Sequence, residues 1–391
     1  MSDDDKHYYC NQKFTEFSID IEKQLTYSCC AASPHVIDLP WLVQHPGKLF
    51  NTSRLQTERQ QMLEGVPVST CEDNCWNAEK NGLQSRRIQM KSYVRTHVNI
   101  DSASPAILNI ILGSTCNLTC SYCCKQYSSA WRRDIMNNGT YLDDDRFSLT
   151  ARDKIIHKIS QQEIAKTGAY NLILQEISNF DTLESVVISG GEPFLYNELS
   201  NLINELAHVP RIVIHTGLGI DRKRFYNQLS KLQHIKNLHI AISGENCGKF
   251  YEFNRYNNSW SNFLINLEIL RKKQFPIKFQ TVISNLTIFG LLSFYKMFNE
   301  KKQYSWCNNP SFLSVHVLDD TSKENLIAQL AEENLPFRDQ LISNIQKPST
   351  EKQRTDLAVY LLEFSKRRNL DLGIFPDSML KWLNLKDNRV V

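Results

Sequence analysis

Residues 106 to 124, AILNIILGSTCNLTCSYCC, constrain this chain more than any other stretch. The run from Ala106 to Leu112 is short, apolar and rich in β-branched residues, and Gly113 closes it. That pattern predicts a fully buried parallel strand. Cys116, Cys120 and Cys123 follow directly, with Tyr122 just before the third thiol. Thiolates spaced C-x3-C-x2-C can serve three irons of a [4Fe-4S] cube and leave the fourth iron without a protein ligand. Closed ferredoxin and zinc-ribbon sites take four thiols instead. An open coordination position is the mark of a catalytic metal site. A zinc site, or a chance run of buried cysteines, is the competing reading of the same triplet.

A second motif stands at Gly190, Gly191, Glu192 and Pro193, after an apolar strand over residues 185–188. Two glycines let the backbone approach a ligand and adopt φ values that other residues resist. Glu192 supplies an acceptor, and Pro193 ends the strand and fixes the turn. Taken alone, this is an ordinary strand-to-helix turn. One strand beyond a C-x3-C-x2-C loop, it is a specific pairing.

The loop and the turn together resemble the radical SAM superfamily. The resemblance implies that Cys116, Cys120 and Cys123 hold a [4Fe-4S] cluster whose free iron is chelated by S-adenosylmethionine. An electron from the reduced cluster then cleaves the sulfonium, and a 5′-deoxyadenosyl radical abstracts hydrogen from a substrate. It further implies cofactor contacts from Tyr122 and from the GGEP residues, which receive the methionyl amino group. Ser243 stands where the family places a polar group on the ribose or carboxylate. Arg255 matches an arginine that pairs with the methionyl carboxylate, a task suited to a bidentate guanidinium. His215 and Thr216, at a strand end, and Cys247, a weak hydrogen-donor candidate, complete the set. For each of these a satisfied polar residue or a buried inert thiol is the plain alternative.

Helix and strand patterns alternate from residue 148 onward. Ser148 is a candidate cap for a helix carrying Leu149, Ile155, Ile156 and Ile159. Beyond the strand at 185–188, the segments RIVIHTG, LHIAISG, IKFQTVIS and FLSVHVL each read as a buried strand, separated by helices. Counting residues 107–112, six βα units predict an α/β fold: a partial (β/α)6 TIM-type barrel with chemistry at the strand C-termini. Residues 127–147 read as an irregular polar loop in which Trp131, Arg132 and Arg133 are substrate-contact candidates. Two helices are expected in the tail from 321, one amphipathic through Leu357, Leu361 and Phe364.

Residues 1–100 read as a small cysteine-rich domain, ahead of a barrel over 101–320 and a helical extension over 321–391. Phe14, Phe17, Ile19 and Ile21 alternate as in a strand pair with a turn near Glu22 to Gln24. Leu55, Met62 and Leu63 mark a short helix stopped by Gly65. Cys10, Cys29 or Cys30, Cys71 and Cys75 come from separate segments and make a plausible closed all-thiolate site, which compensates for a thin core. This half resembles the SPASM/twitch domains that carry an auxiliary [4Fe-4S] cluster. The resemblance rests on the cysteine spacing, the "ML-x-G" helix end, and C-x3-C-W followed by Glu79, Gly82, Ser85 and Arg87; it favours Cys29 over Cys30. Here the domain precedes the barrel rather than following it. A structural zinc is the alternative occupant.

The charge is nearly balanced, 45 basic against 42 acidic residues, so nucleic acid has no electrostatic footprint. The stretch MSDDDKHYYC is acidic and lacks the basic and apolar regions of a signal peptide, so secretion is not expected, and no apolar run approaches the length of a membrane span. With eleven cysteines and no secretion signal, metal ligation is expected over disulfides, in a cytoplasmic, oxygen-sensitive protein. Expected partners are S-adenosylmethionine, a peptide or small-molecule substrate, and a reductant such as flavodoxin or ferredoxin. A peptide or protein substrate leads, as it does among auxiliary-cluster relatives. Radical modification of a sugar, nucleoside or RNA base is the second enzymatic reading. A non-catalytic zinc or iron–sulfur protein that senses redox state is the contrasting class.

Overall fold

The computed structural model describes residues 8–29, 32–80, 85–90, 104–148 and 168–385. Its strands are β1 (Glu16–Asp20), β2 (Leu25–Tyr27), β3 (His35–Val36), β4 (Ile107–Ile111), β5 (Thr119–Cys120), β6 (Ser185–Ser189), β7 (Ile212–Thr216), β8 (Leu238–Ser243), β9 (Arg255–Tyr256), β10 (Ile277–Ile283) and β11 (Lys302–Trp306). Two compact units divide them. One gathers the described residues among 1–113, 160–214 and 231–239, the other those among 114–159, 215–230 and 240–391.

In the first unit β1 and β2 form the expected hairpin, turning through Gln24 at φ 54°. Phe14 stands in a short helix before β1 rather than in the strand. β1 then pairs in parallel with β4, Glu16 opposite Ile107, and β4 continues in parallel to β6 and β7. The N-terminal hairpin is therefore an extension of the sheet that contains β4, and the boundary expected at residue 100 falls inside one unit. The cause is on the apolar face of β1. Phe17 and Ile19 are wholly buried, and Phe17 meets Phe50 and Phe180 edge-on at 5.3 and 6.3 Å. Burial of that aromatic group outweighs the sequence distance between hairpin and β4.

The opposite face of β1 carries Glu16, Ser18 and Asp20, all buried. Asn109 of β4 donates to Glu16 Oε1 and Ser18 Oγ, each at 3.1 Å, and Arg86 pairs with Glu16 at 2.9 Å. β4 is thus fully buried on the Leu108 and Ile110 face alone, not on both as its apolar run implied. Buried polar groups need partners, and this ladder supplies them.

In the second unit β8, β10 and β11 are parallel neighbours, Ile240 opposite Ile277 and Phe279 opposite Lys302. The α/β class holds, with parallel strands alternating with helices as a partial (β/α)6 arrangement requires. Five of the six expected βα strands form where the sequence put them. The sixth does not. FLSVHVL, residues 312–318, is a 3-10 turn and an irregular segment, and β11 is the strand instead. In β11, Tyr304 and Trp306 lie against Phe337 while Gln303 and Ser305 face outward. The irregular run is buried because Asn285 Nδ2 takes up the carbonyls of Phe312 and Val317 at 2.8 and 3.2 Å.

Residues 129–138 are a helix, α1 (Ser129–Asn138), not a loop. Ser128 caps it by accepting from Trp131 N, and Gly139 ends it at φ 86°. Trp131 and Ile135 are wholly buried. Among the described residues the tail holds four α-helices where two were expected: α2 (Asp320–Ala331), α3 (Arg338–Ile345), α4 (Glu351–Arg368) and α5 (Asp377–Trp382). Leu357, Tyr360, Leu361 and Phe364 form the apolar stripe of α4 and join one core with Trp131. The helix expected after Ser148 lies outside the described residues. Among the described residues no helix is long and apolar enough to cross a membrane.

Candidate functional site

Cys116, Cys120 and Cys123 all belong to the second unit, on the loop around β5. Their backbone is held from several sides. Ser129 Oγ accepts from Cys116 N at 3.1 Å, Ser128 Oγ donates to Leu118 O at 2.7 Å, and Trp131 Nε1 donates to Cys120 O at 2.9 Å. Ser121 N donates to Asn254 O at 2.8 Å, and its hydroxyl donates to Asn254 Oδ1 at 2.6 Å. From α4, Tyr360 donates to Ser121 O, and Arg368 Nε donates to Thr119 Oγ1 at 3.0 Å. The loop is over-determined, as a site that must present three thiols in fixed directions requires. Leu118 N points at Cys116 Sγ from 3.4 Å, a donor to a thiolate. Burial, and then the neighbouring Cys124, Cys120 and Cys116, push the Cys123 thiol well above its ordinary range. A bound metal would reverse that, because a coordinating thiol is deprotonated outright.

Beside the triplet sits a polar group that joins two of the expected residues, Tyr122 and Arg255, to Glu245, which the sequence reading missed. β5 pairs antiparallel with β9, which sets Arg255 opposite Cys120. Arg255 Nη2 reaches Glu245 Oε2 at 2.9 Å and also bonds the Tyr122 hydroxyl; that hydroxyl donates to Glu245 Oε1 at 2.9 Å. Arg255 Nη1 lies 3.8 Å from Cys120 Sγ. The Nε of Arg255 is buried with no hydrogen-bond partner in the structure, which leaves one donor for an occupant. Glu245 gave no sequence signal: it stands in a loop after β8 as one carboxylate among 42 acidic residues.

The GGEP residues lie in the first unit, where β6 ends. Gly190 has φ 119°, and a Cβ there would come 2.7 Å from Gly113 O. Gly191 N donates to that same carbonyl at 2.7 Å. The close approach of two strand ends thus requires glycine at position 190, and the backbone of Gly191 ties them together. Glu192 is buried and accepts from Phe194 N at 3.4 Å, so it caps the Pro193–Leu195 turn.

The four auxiliary cysteines come together in the same unit. Cys10, Cys29, Cys71 and Cys75 line one small cavity with Gln12, Trp76, Arg86 and Arg87. Cys30 lies outside the described residues. Cys71 ends a 3-10 turn and Cys75 sits in a π-turn, Glu72–Trp76, a wide turn frequent at functional sites. Glu79, Ser85 and Arg87 bond to one another, and Arg87 lies over the Trp76 ring at 5.0 Å, next to Cys75. Gly82 is outside the described residues. Burial foremost, then the charges of Cys71 and Cys75, push the Cys10 thiol up to about 11. Among the described residues no three His, Cys, Asp or Glu side chains gather tightly enough for a single metal ion. A cube spreads its ligands more widely than one zinc does, with its Zn–S bonds of ~2.3 Å. The thiol content and enclosure of both sites fit iron–sulfur clusters.

The remaining candidates divide. Ser243 is half-buried at the end of β8, paired with Gln280. Thr216 Oγ1 accepts from Leu218 N at 3.0 Å, the bland role of a strand-end hydroxyl. His215 is held near 4 by burial and by Lys278, which keeps it neutral. Cys247 lies 3.8 Å from Met297 Sδ, and Met297 is itself exposed. Trp131 and Arg132 are buried supports of the cysteine loop, so neither is a substrate contact; Arg133 is exposed.

The fold and sites thus define an α/β protein with an open three-thiol loop and a four-thiol cavity. No family model and no curated protein matches the chain. Solved structures to which it is similar include native anSMEcpe with bound AdoMet, at 17% identity over 66% of this chain and 59% of that one, TM-score 0.32. Others are anSMEcpe with AdoMet and the Kp18Cys peptide (16%, 66% and 59%, 0.34) and Streptococcus suis SuiB bound to precursor peptide SuiA (16%, 82% and 68%, 0.34). The chain spans about three fifths of the length of the first two.

Proposed function

We propose that this chain is a radical SAM enzyme in which Cys116, Cys120 and Cys123 hold the [4Fe-4S] cluster that binds S-adenosylmethionine. One observation carries the reading. The cysteine loop leaves the C-terminal end of β4, the GGEP turn leaves that of its parallel neighbour β6, and Gly191 N is bonded to Gly113 O three residues before Cys116. Two parallel strand ends are where α/β enzymes place their chemistry. The bound cluster and S-adenosylmethionine would supply reductive cleavage to a 5′-deoxyadenosyl radical. The chain's own part is to hold three thiols, withhold a fourth ligand, and offer the turn at Gly190 to Pro193 to the methionyl group.

Cys10, Cys29, Cys71 and Cys75 are assigned to a second, closed [4Fe-4S] cluster, supported by their shared cavity and the Glu79–Arg87 pair behind it. A peptide or protein is the proposed substrate, with a low-potential donor such as flavodoxin or ferredoxin as reductant. The test is anaerobic reconstitution, then S-adenosylmethionine and dithionite, with 5′-deoxyadenosine as the readout. Formation is expected from the intact chain and should vanish in Cys116→Ala, Cys120→Ala and Cys123→Ala. Zinc in place of iron at both sites, with no 5′-deoxyadenosine, would overturn the reading.

A further inference from the structure

The geometry points to Glu245 and Tyr122 as positioning residues that fix Arg255 against Cys120, so that the guanidinium sets the potential at which the Cys116/Cys120/Cys123 cluster accepts its electron. The inference rests on the function proposed above and goes beyond it. An arginine reserved for a cofactor carboxylate should present a free fork. Here Nη2 is occupied by Glu245 and the Tyr122 hydroxyl, the ring of Tyr122 lies 5.5 Å from the guanidinium carbon, and Nη1 faces Cys120 Sγ at 3.8 Å. Arg255 is 3% and Glu245 1% exposed, so their charges act through a poorly screened medium. β5–β9 pairing sets the register, with Cys120 directly opposite Arg255, so the contact is built into the backbone.

The step is a one-electron reduction, [4Fe-4S]2+ to [4Fe-4S]1+, with the electron from dithionite in the test. The added negative charge is favoured by the cation beside Cys120 and disfavoured by the anion behind it. Hydrogen bonds and charges near the sulfurs are recognised levers on cluster potential. Arg255 and Glu245 should therefore move the potential in opposite directions.

The experiment is a redox titration of the anaerobically reconstituted full chain without S-adenosylmethionine, read by the EPR signal of the reduced cluster. Cys71→Ala is the background, which removes the second cluster's signal. Arg255→Gln is expected to lower the reduced-to-oxidised ratio at fixed potential about tenfold, a shift of about 59 mV downward. Glu245→Gln is expected to raise the ratio by a similar factor, and Tyr122→Phe to shift it less. A structural role alone would cost iron or move all variants the same way. If Arg255→Gln fails to hold iron, Arg255→Lys takes its place: with the charge kept and the fork lost, it should lie between wild type and Gln. Equal potentials in all iron-loaded variants overturn this inference while leaving the proposed function intact. An intact chain that takes no iron at the triplet overturns both.

Discussion

At the residue scale, a buried ion pair away from the cysteine loop is built on Lys13. Its ammonium is buried and donates to Ser28 Oγ at 2.6 Å and Thr70 Oγ1 at 3.1 Å, and it pairs with Glu58. Burial by itself would raise Glu58. The His35 imidazole, 3.2 Å away, and the Lys13 charge outweigh it and hold the carboxyl at about 2, against an ordinary 4.5. A depressed carboxyl contributes stability that is present above its unfolded pKa and is lost as pH falls through the folded one. The stability gap between wild type and Glu58→Gln should therefore be on the order of 2 kcal/mol at pH 7, after discounting for screening. It should close between about pH 4.5 and pH 2. Thermal melts of both proteins across that range check the sign. A gap that widened on acidification would refute it.

Gly190 gives a second prediction at this scale. A methyl group there would meet Gly113 O at 2.7 Å in a backbone region that side chains resist. Gly190→Ala should cost on the order of 1–3 kcal/mol of local strain. Because the turn is assigned to the cofactor and not to the iron, the variant should keep its iron load. Its affinity for S-adenosylmethionine should fall about tenfold or more, measured by perturbation of the cluster's EPR signal.

At the element scale, α1 and α4 are the unexpected supports of the cysteine loop. Arg368, in the last turn of α4, bonds Thr119, Asp134 and Tyr141, and lies 4.8 Å from the centre of the Trp131 ring. Removing one partner of so buried a group leaves the others uncompensated, at a cost of about 3 kcal/mol. Arg368→Met should lower iron retention at the first site after gel filtration and leave the four-cysteine site loaded. Arg367, one position earlier, is also largely covered: it pairs with Glu363 at 3.0 Å, lies 3.8 Å from the centre of the Tyr141 ring and reaches the Gly139 and Thr140 carbonyls. Those contacts lie away from the cysteine loop, so its loss should lower iron retention less than that of Arg368. The reason α1 looked like a loop is compositional. Polar residues dominate it, and only its caps, Ser128 and Gly139, with Trp131 and Ile135 between them, betray a helix.

At the scale of the whole chain, two iron–sulfur sites predict about eight irons and eight sulfides per molecule. Cys71→Ala should reduce iron to about four and spare 5′-deoxyadenosine formation in the absence of substrate. Full iron in that variant would show that the cavity of Cys10, Cys29, Cys71 and Cys75 is not a cluster site.

The sequence by itself determined what depends on local order. Hairpin, helix stop at Gly65 and five parallel strands were legible because short-range periodicity and turn chemistry encode them. The cysteine triplet and the GGEP turn were legible because their chemistry needs fixed spacing along the chain. Tertiary structure alone decided what depends on distant partners. It joined β1 to β4, because Phe17, Phe50 and Phe180 find one another only in space. It chose β11 over residues 312–318, two apolar-looking candidates whose burial is set by Phe337 and Asn285. It also brought Glu245 and Arg255 to Cys120 across more than a hundred residues, since a buried charge is stabilised by proximity and leaves no period in the sequence.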